Sequence, residues 1–109
     1  MVESAVQKKI EEMVRRIAER FHPEQVILFG SHARGQAGPD SDVDLLVVMP
    51  VSGSKRKMAV EIDLTLAGSG LPKDIIVVTP EEVARLRDIV GTIVYPAVRE
   101  GRVMYERAA

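Results

Sequence analysis

The stretch from Val26 to Met49, VILFGSHARGQAGPDSDVDLLVVM, constrains this chain more than any other. Two short apolar runs, Val26 to Phe29 and Leu45 to Met49, flank a polar loop rich in glycine. Continuous apolar runs of this length and β-branched content read as strands buried on both faces. Ten residues lie between Ser31 and Asp42 (42 − 31 − 1 = 10), room for one helical turn and a return loop. That is too short for the usual crossover helix between parallel neighbours. A mixed sheet is therefore expected, with the end of the first strand and the start of the second at one edge.

The residues at that edge carry chemistry. Gly30 lets the backbone approach a ligand closely, and Ser31 can cap the following turn while offering a hydroxyl. The first N–H groups of such a turn point outward as an anion site. In an extended strand residues i and i+2 share a face, so Asp42 and Asp44 project side by side while Val43 packs behind them. Carboxylates held that close repel and raise one another's pKa unless a cation sits between them. A hard divalent ion such as Mg²⁺, completed by phosphate oxygens, suits the pair. Asp is disfavoured in strands, so two of them opening a buried run need a reason.

Gly30-Ser31, the ten-residue gap, Ala33-Arg34-Gly35 inside it and Asp42-x-Asp44 resemble the signature of the DNA polymerase β nucleotidyltransferase superfamily. More narrowly, the chain resembles the minimal nucleotidyltransferases of prokaryotes, the antitoxin-like partners of HEPN-domain proteins. The resemblance extends to the closing pattern, from Asp74 to Glu82 and from Arg99 to Arg107. It implies an α+β chain of alternating order with a polymerase β palm-like nucleotidyltransferase fold. A mixed sheet of three main strands and a short fourth would be flanked by helices.

The rest of the sequence fits that order. Val6, Ile10, Met13, Val14, Ile17 and Phe21 form one stripe at helical spacing over residues 3 to 21. Pro23 ends this helix and is expected to push His22 toward extended geometry. Arg16 and His22 match the R-x5-H spacing of HEPN-type ribonucleases. Those resemble all-helical bundles, whereas this pair borders a helix-breaking proline before a strand, and the match is read as coincidence.

Ser54 is the N-cap of an expected helix to Ala67, with Met58, Ile62 and Leu66 facing the core. Its opening Lys55-Arg56-Lys57 could reach a triphosphate but is read as a solvated first turn. Gly68-Ser69-Gly70 stops it, and Ile75 to Val78 is a third buried strand. The resembled family places a third carboxylate on this strand. Asp74, at its opening, takes that role in preference to Asp63, which falls with Glu61 in a helical pattern. Thr79, Pro80 and Glu82 form a capping box with proline at N1. Val83, Leu86 and Val90 are expected on that helix's apolar side. A further helix runs through Val98, with Pro96 near its first turn, and Gly101 ends it. Val103 to Tyr105 closes the chain as a short strand.

Composition bounds the function. At 109 residues, with 46% hydrophobic and 28% charged residues, one globular domain is expected over residues 1 to 109. That is too little chain for a second substrate-binding domain. No apolar run approaches the roughly 20 residues that span a bilayer, and no signal peptide opens the chain, so a cytoplasmic protein is expected. The absence of cysteine leaves oxygen ligands for any metal. A net charge of −1 lacks the basic footprint of tight nucleic-acid binding.

The expected activity is transfer of a nucleoside monophosphate from an NTP, in the first place ATP, to a hydroxyl with release of pyrophosphate. Gly30 and Ser31 would hold the β- and γ-phosphates, and Asp42 and Asp44 two Mg²⁺ ions. Asp74 would complete the metal site and help deprotonate the acceptor. Arg34 either neutralises phosphate charge or forms an ion pair with Asp40 or Asp42. His32 is read as a polar loop residue, and Tyr95 and Tyr105 as packing residues rather than AMP acceptors. The resemblance implies a HEPN-domain partner, with transfer to one of its tyrosines. Two alternatives stand beside this: a non-catalytic antitoxin-like binding module, and a nucleotidyltransferase acting on a small molecule.

Overall fold

The computed structural model describes residues 4–108. In chain order the elements are α1 (Ala5–Phe21), β1 (Gln25–Phe29), β2 (Val43–Val48), α2 (Lys55–Thr65), β3 (Lys73–Val78), α3 (Pro80–Leu86), α4 (Val94–Glu100) and β4 (Arg102–Glu106). Among the described residues this is an α+β arrangement of four helices and one mixed sheet with strand order β3-β2-β1-β4. β1 runs antiparallel to both β2 and β4, and β2 runs parallel to β3. The tight return after β1 makes the antiparallel pair, and α2 supplies the longer crossover that a parallel pair requires.

Side chains alternate across each strand, and the two faces of the sheet bury different helices. Val43, Leu45 and Val47 of β2 join Val26, Leu28, Ile75 and Val77 in a core closed by Ile10, Met13, Val14 and Ile17 of α1 and by Ile62 and Leu66. On the other face Leu46 and Val48 pack with Ile27, Phe29 and Val78 under Val94 and Ala97 of α4. The expected double burial of β1 holds, since each residue from Val26 to Phe29 is buried. Each large aliphatic side chain so buried contributes about 1.5–3 kcal/mol.

The helix starts are local. Ser4 accepts from the Gln7 N–H at 3.0 Å and Ser54 from the Lys57 N–H at 3.1 Å. Thr79 and Glu82 exchange both bonds of the expected capping box. Gly101 shows the opposite kind of constraint: a Cβ there would lie 2.2 Å from the Ala97 carbonyl oxygen and 2.9 Å from that of Leu28. Only glycine lets α4 turn directly into β4 against β1.

Four expectations need correction. Val6 belongs to the α1 stripe by spacing but is 39% exposed, since it lies in the first turn, ahead of the sheet-covering residues. His22 is left-handed (φ 49°, ψ 51°) rather than extended, because that conformation lets its N–H cap the Ala18 carbonyl while the chain reverses into Pro23. α2 ends at Thr65 rather than Ala67, its last turn tightening so that the Ala67 N–H bonds to the Leu64 carbonyl. α3 stops at Leu86, leaving Val90 75% exposed in a connection turned by Gly91 (φ 98°). No helix among the described residues is long and apolar enough to cross a membrane.

Candidate active site

The sequence-predicted residues gather at the edge formed by the end of β1 and the starts of β2 and β3. The strand register places Phe29 opposite Asp44, and Asp44 beside Asp74. Partnered residues share a face, so the Asp44 and Asp74 side chains stand in one row across the sheet. They lie on the α4 side, beyond the point where its apolar residues cover the strands. Asp42 and Asp74 are exposed and Asp44 is half-buried.

Gly30 (φ +75°) is fitted to this row. A Cβ at position 30 would sit 2.2 Å from Oδ2 of Asp44 and 3.2 Å from its Cγ, closer to the oxygen than any real contact. The close approach foreseen for a ligand is thus also made by the protein's own carboxylate, folded over the glycine backbone. After Gly30 the chain makes one helical turn, with the Arg34 N–H donating to the Gly30 carbonyl at 3.2 Å and the Gln36 N–H to that of Ser31 at 2.9 Å. The N–H groups of Ser31 and His32 open this turn and donate to no acceptor among the described residues. They are the donors that a phosphate oxygen would meet.

The returning loop is held at two points. Gly38 to Ser41 forms a turn around Pro39, closed by the Ser41 N–H to the Gly38 carbonyl at 3.2 Å, while the Gly38 N–H donates to the Ser41 hydroxyl at 2.8 Å. Nε2 of His32 lies 3.2 Å from the Ser41 carbonyl oxygen. A carbonyl only accepts, so Nε2 is the donor in this contact, which ties the ring to the returning loop. His32 is a staple of the loop, in line with its reading as a polar loop residue.

The electrostatics follow from the crowding. Burial, then the Asp74 carboxylate, then that of Asp42 push the Asp44 pKa above the ordinary range, while His32 and Arg34 oppose the shift. The crowding thus falls on Asp44, the most buried of the three. Among the described residues no three Asp, Glu or His groups close into a metal cage. Mg²⁺ does not require one, since it binds through one or two carboxylates and completes its shell with water and substrate phosphates. An oxygen-only donor set, open toward the Ser31 turn, fits such an ion.

Arg34 departs from the ion pairs considered for it. Its Nε donates to the Gln36 side chain at 3.2 Å, and Nη1 lies 3.9 Å from Oε2 of Glu100 rather than against Asp40 or Asp42. Glu100, the last residue of α4, was not legible as part of the site, because only tertiary packing brings it to the loop. Asp63 pairs with Lys73 at 3.3 Å and Lys55 with Glu82 at 2.6 Å, so both serve the α2 surface. Tyr105 packs against the α1 core, and Tyr95 lies 4.6 Å below the Arg99 guanidinium.

Comparison with known proteins gives this edge its setting. The solved structures similar to the chain include a protein from Sulfolobus solfataricus described as a candidate nucleotidyltransferase. It has a TM-score of 0.62 and 23% identity, and the match covers 98% of this chain and 91% of that one. A toxin–antitoxin structure with AMP-PNP is similar at TM-score 0.57 and 16% identity, over 89% of this chain and 73% of that one. A double Asp-to-Glu mutant of the toxin–antitoxin MntA–HpeT is similar at TM-score 0.57 and 15% identity, over 88% and 72%. At these identities the likeness is one of fold. No curated protein matches the sequence. The model of the nucleotidyltransferase domain matches residues 8–96, which takes in the Gly30-Ser31 turn and all three carboxylates. The chain belongs to the nucleotidyltransferase domain family.

Proposed function

We propose that this chain transfers AMP from ATP to a hydroxyl on a partner protein, as the antitoxin of a toxin–antitoxin pair whose toxin is a HEPN-domain protein modified on tyrosine. The observation that carries the reading is the row of Asp44 and Asp74, with Asp42 close enough to act on Asp44 and Asp44 itself against Gly30, next to the open N–H groups of Ser31 and His32. Two structures of the same fold are toxin–antitoxin assemblies, one of them with an ATP analogue, which supports both the nucleotide and the partner.

Each residue has a part in the transfer. The Ser31 and His32 N–H groups and the Ser31 hydroxyl hold the β- and γ-phosphates, and the closeness of Gly30 keeps them near the carboxylates. Asp42 and Asp44 would hold two Mg²⁺ ions, with Asp74 completing one site. Such ions supply a clamp on the attacking and leaving oxygens of an in-line displacement. Asp74, outermost of the row, takes the acceptor proton. The acceptor oxygen forms its bond to the α-phosphorus as the bond from that phosphorus to pyrophosphate breaks. Arg34, released from Glu100, meets the negative charge that shifts onto the leaving pyrophosphate.

The test is co-expression with the neighbouring gene's product, followed by intact mass of that product. Mass additions of one AMP unit each, absent with Asp74→Asn, are expected. Asp74→Asn should still bind ATP, whereas the Asp42→Asn, Asp44→Asn double variant should lose binding as well. A stable complex without mass change would make the chain a contact-only antitoxin. Absence of any complex would favour a small-molecule acceptor.

A further inference from the structure

Beyond Asp74 the sheet stops. β3 is an end strand, and among the described residues no hydrogen bond reaches it from its outer side. Along that edge runs a groove of about 300 Å³ between α2 and β3, lined by Arg56, Ala59, Val60, Asp63, Lys73 and Asp74. Lys73 and Asp63 pair with each other, which leaves aliphatic side chains and the Arg56 guanidinium on its α2 side. Val60 is 52% exposed and Leu64, one turn further along α2, is 68% exposed. Arg56 is exposed and has no carboxylate within ion-pair distance among the described residues, as is true of Lys57 next to it. Lys55 and Lys73, by contrast, are both paired.

We infer that the β3 edge is the acceptor site, and that it takes an extended acidic polypeptide segment as an added strand; this rests on the nucleotidyl transfer proposed above. The geometry is that of the sheet itself. Asp44 and Asp74 are cross-strand partners on one face, so a segment pairing with β3 sets one of its residues beside Asp74 on that same face. Directly paired residues have Cβ atoms roughly 4.5–5.5 Å apart. A hydroxyl side chain at that position continues the carboxylate row and stands next to the base that takes its proton. Its oxygen then bonds to the α-phosphorus of ATP, and pyrophosphate leaves with the electrons of the broken bond.

Main-chain hydrogen bonds to an open edge bind without regard to sequence, and alternate side chains set the preference. Here the preference is readable. Residues of the segment that face α2 meet the exposed Val60 and the unpaired Arg56, which favour aliphatic and acidic neighbours. An edge left this open also invites pairing with other chains unless a partner covers it.

The test uses three synthetic peptides with one extended core and a single tyrosine, flanked by acidic, neutral or basic residues. The acidic peptide, with Mg²⁺ and ATP, should acquire labelled AMP at least about tenfold faster than the basic one. It should also perturb the backbone amides of Lys73 to Val78. Arg56→Glu should reverse the order of preference while leaving ATP affinity unchanged. Peptide preference untouched by the charge reversal, amide shifts that map elsewhere, or no labelling of any peptide by a chain that binds Mg²⁺-ATP would overturn the inference. Failure to bind Mg²⁺-ATP at all would instead contradict the nucleotidyl transfer on which it rests.

Discussion

Asp44 and Leu45 are neighbours on β2 and meet opposite environments. On Leu45's face, Val43, Leu45 and Val47 are all 0% exposed beneath α1 and α2, so that side of the strand is core from end to end. On the face of Asp44, Leu46 and Val48 are covered by α4 and its surroundings, but the first position of the row is left open. What occupies it is a carboxylate beside two others, with a raised pKa and a glycine cut to its shape. One strand thus anchors the fold on one side and holds reactive groups on the other, and the rigidity of the first serves the placement of the second.

The largest effect should come from the dry face. Leu45→Ala leaves a cavity among fully buried neighbours and should cost about 2–5 kcal/mol, read as a lowered denaturant midpoint. Transfer per folded molecule should change little, and loss of activity without loss of stability would erase the distinction between the faces. Gly30→Ala comes next. Its Cβ would lie 2.2 Å from Asp44 Oδ2 at a positive φ, costing about 1–2 kcal/mol of strain. Unlike Leu45→Ala, it should also weaken Mg²⁺-dependent ATP binding, because the group displaced is a carboxylate of the site.

The smallest change should have the opposite sign. A carboxyl whose folded pKa is raised holds its proton longer in the native state. Its contribution to stability is therefore greatest below its unfolded pKa and is lost as pH rises through the folded one. Near neutral pH ionised Asp44 is a burden on the free protein. Asp44→Asn should stabilise that protein by about 0.5 kcal/mol, a solvent-screened value, or roughly 2–4 °C in Tm. The gain should shrink as pH falls into the carboxylate range. Destabilisation by Asp44→Asn at neutral pH would contradict the reading that burial and the neighbouring carboxylates disfavour the ionised Asp44 side chain in the free protein.

Much of this was legible because it is local. The Gly30-Ser31 turn, the Asp42-x-Asp44 pair, the three main strands and the Thr79 capping box are set by spacing and residue type over a few positions. The mixed sheet followed from the length of one loop. What escaped depends on packing between distant segments. Arg34 meets Glu100 only because α4 lies over β1, and no pattern within residues 30 to 44 foretells that partner. Val90 continues a helical spacing, yet α3 had already ended at Leu86. His22 showed that a residue before proline has more than one way to avoid the right-handed helix. The fit between Gly30 and Asp44 lay hidden for the same reason: both were singled out, but only the register between β1 and β2 brings them into contact.

The proposed joint site for a divalent ion and a nucleotide at the carboxylate edge is tested most directly by thermal unfolding with ATP in the presence of Mg²⁺ or of EDTA. With ATP at about 100 times its Kd, Mg²⁺-ATP should stabilise the chain by about 2.7 kcal/mol, on the order of 10 °C in Tm. ATP with EDTA should give little of that shift, because its phosphates would face the unneutralised Asp42, Asp44 and Asp74. Equal stabilisation by ATP in EDTA would contradict that proposal.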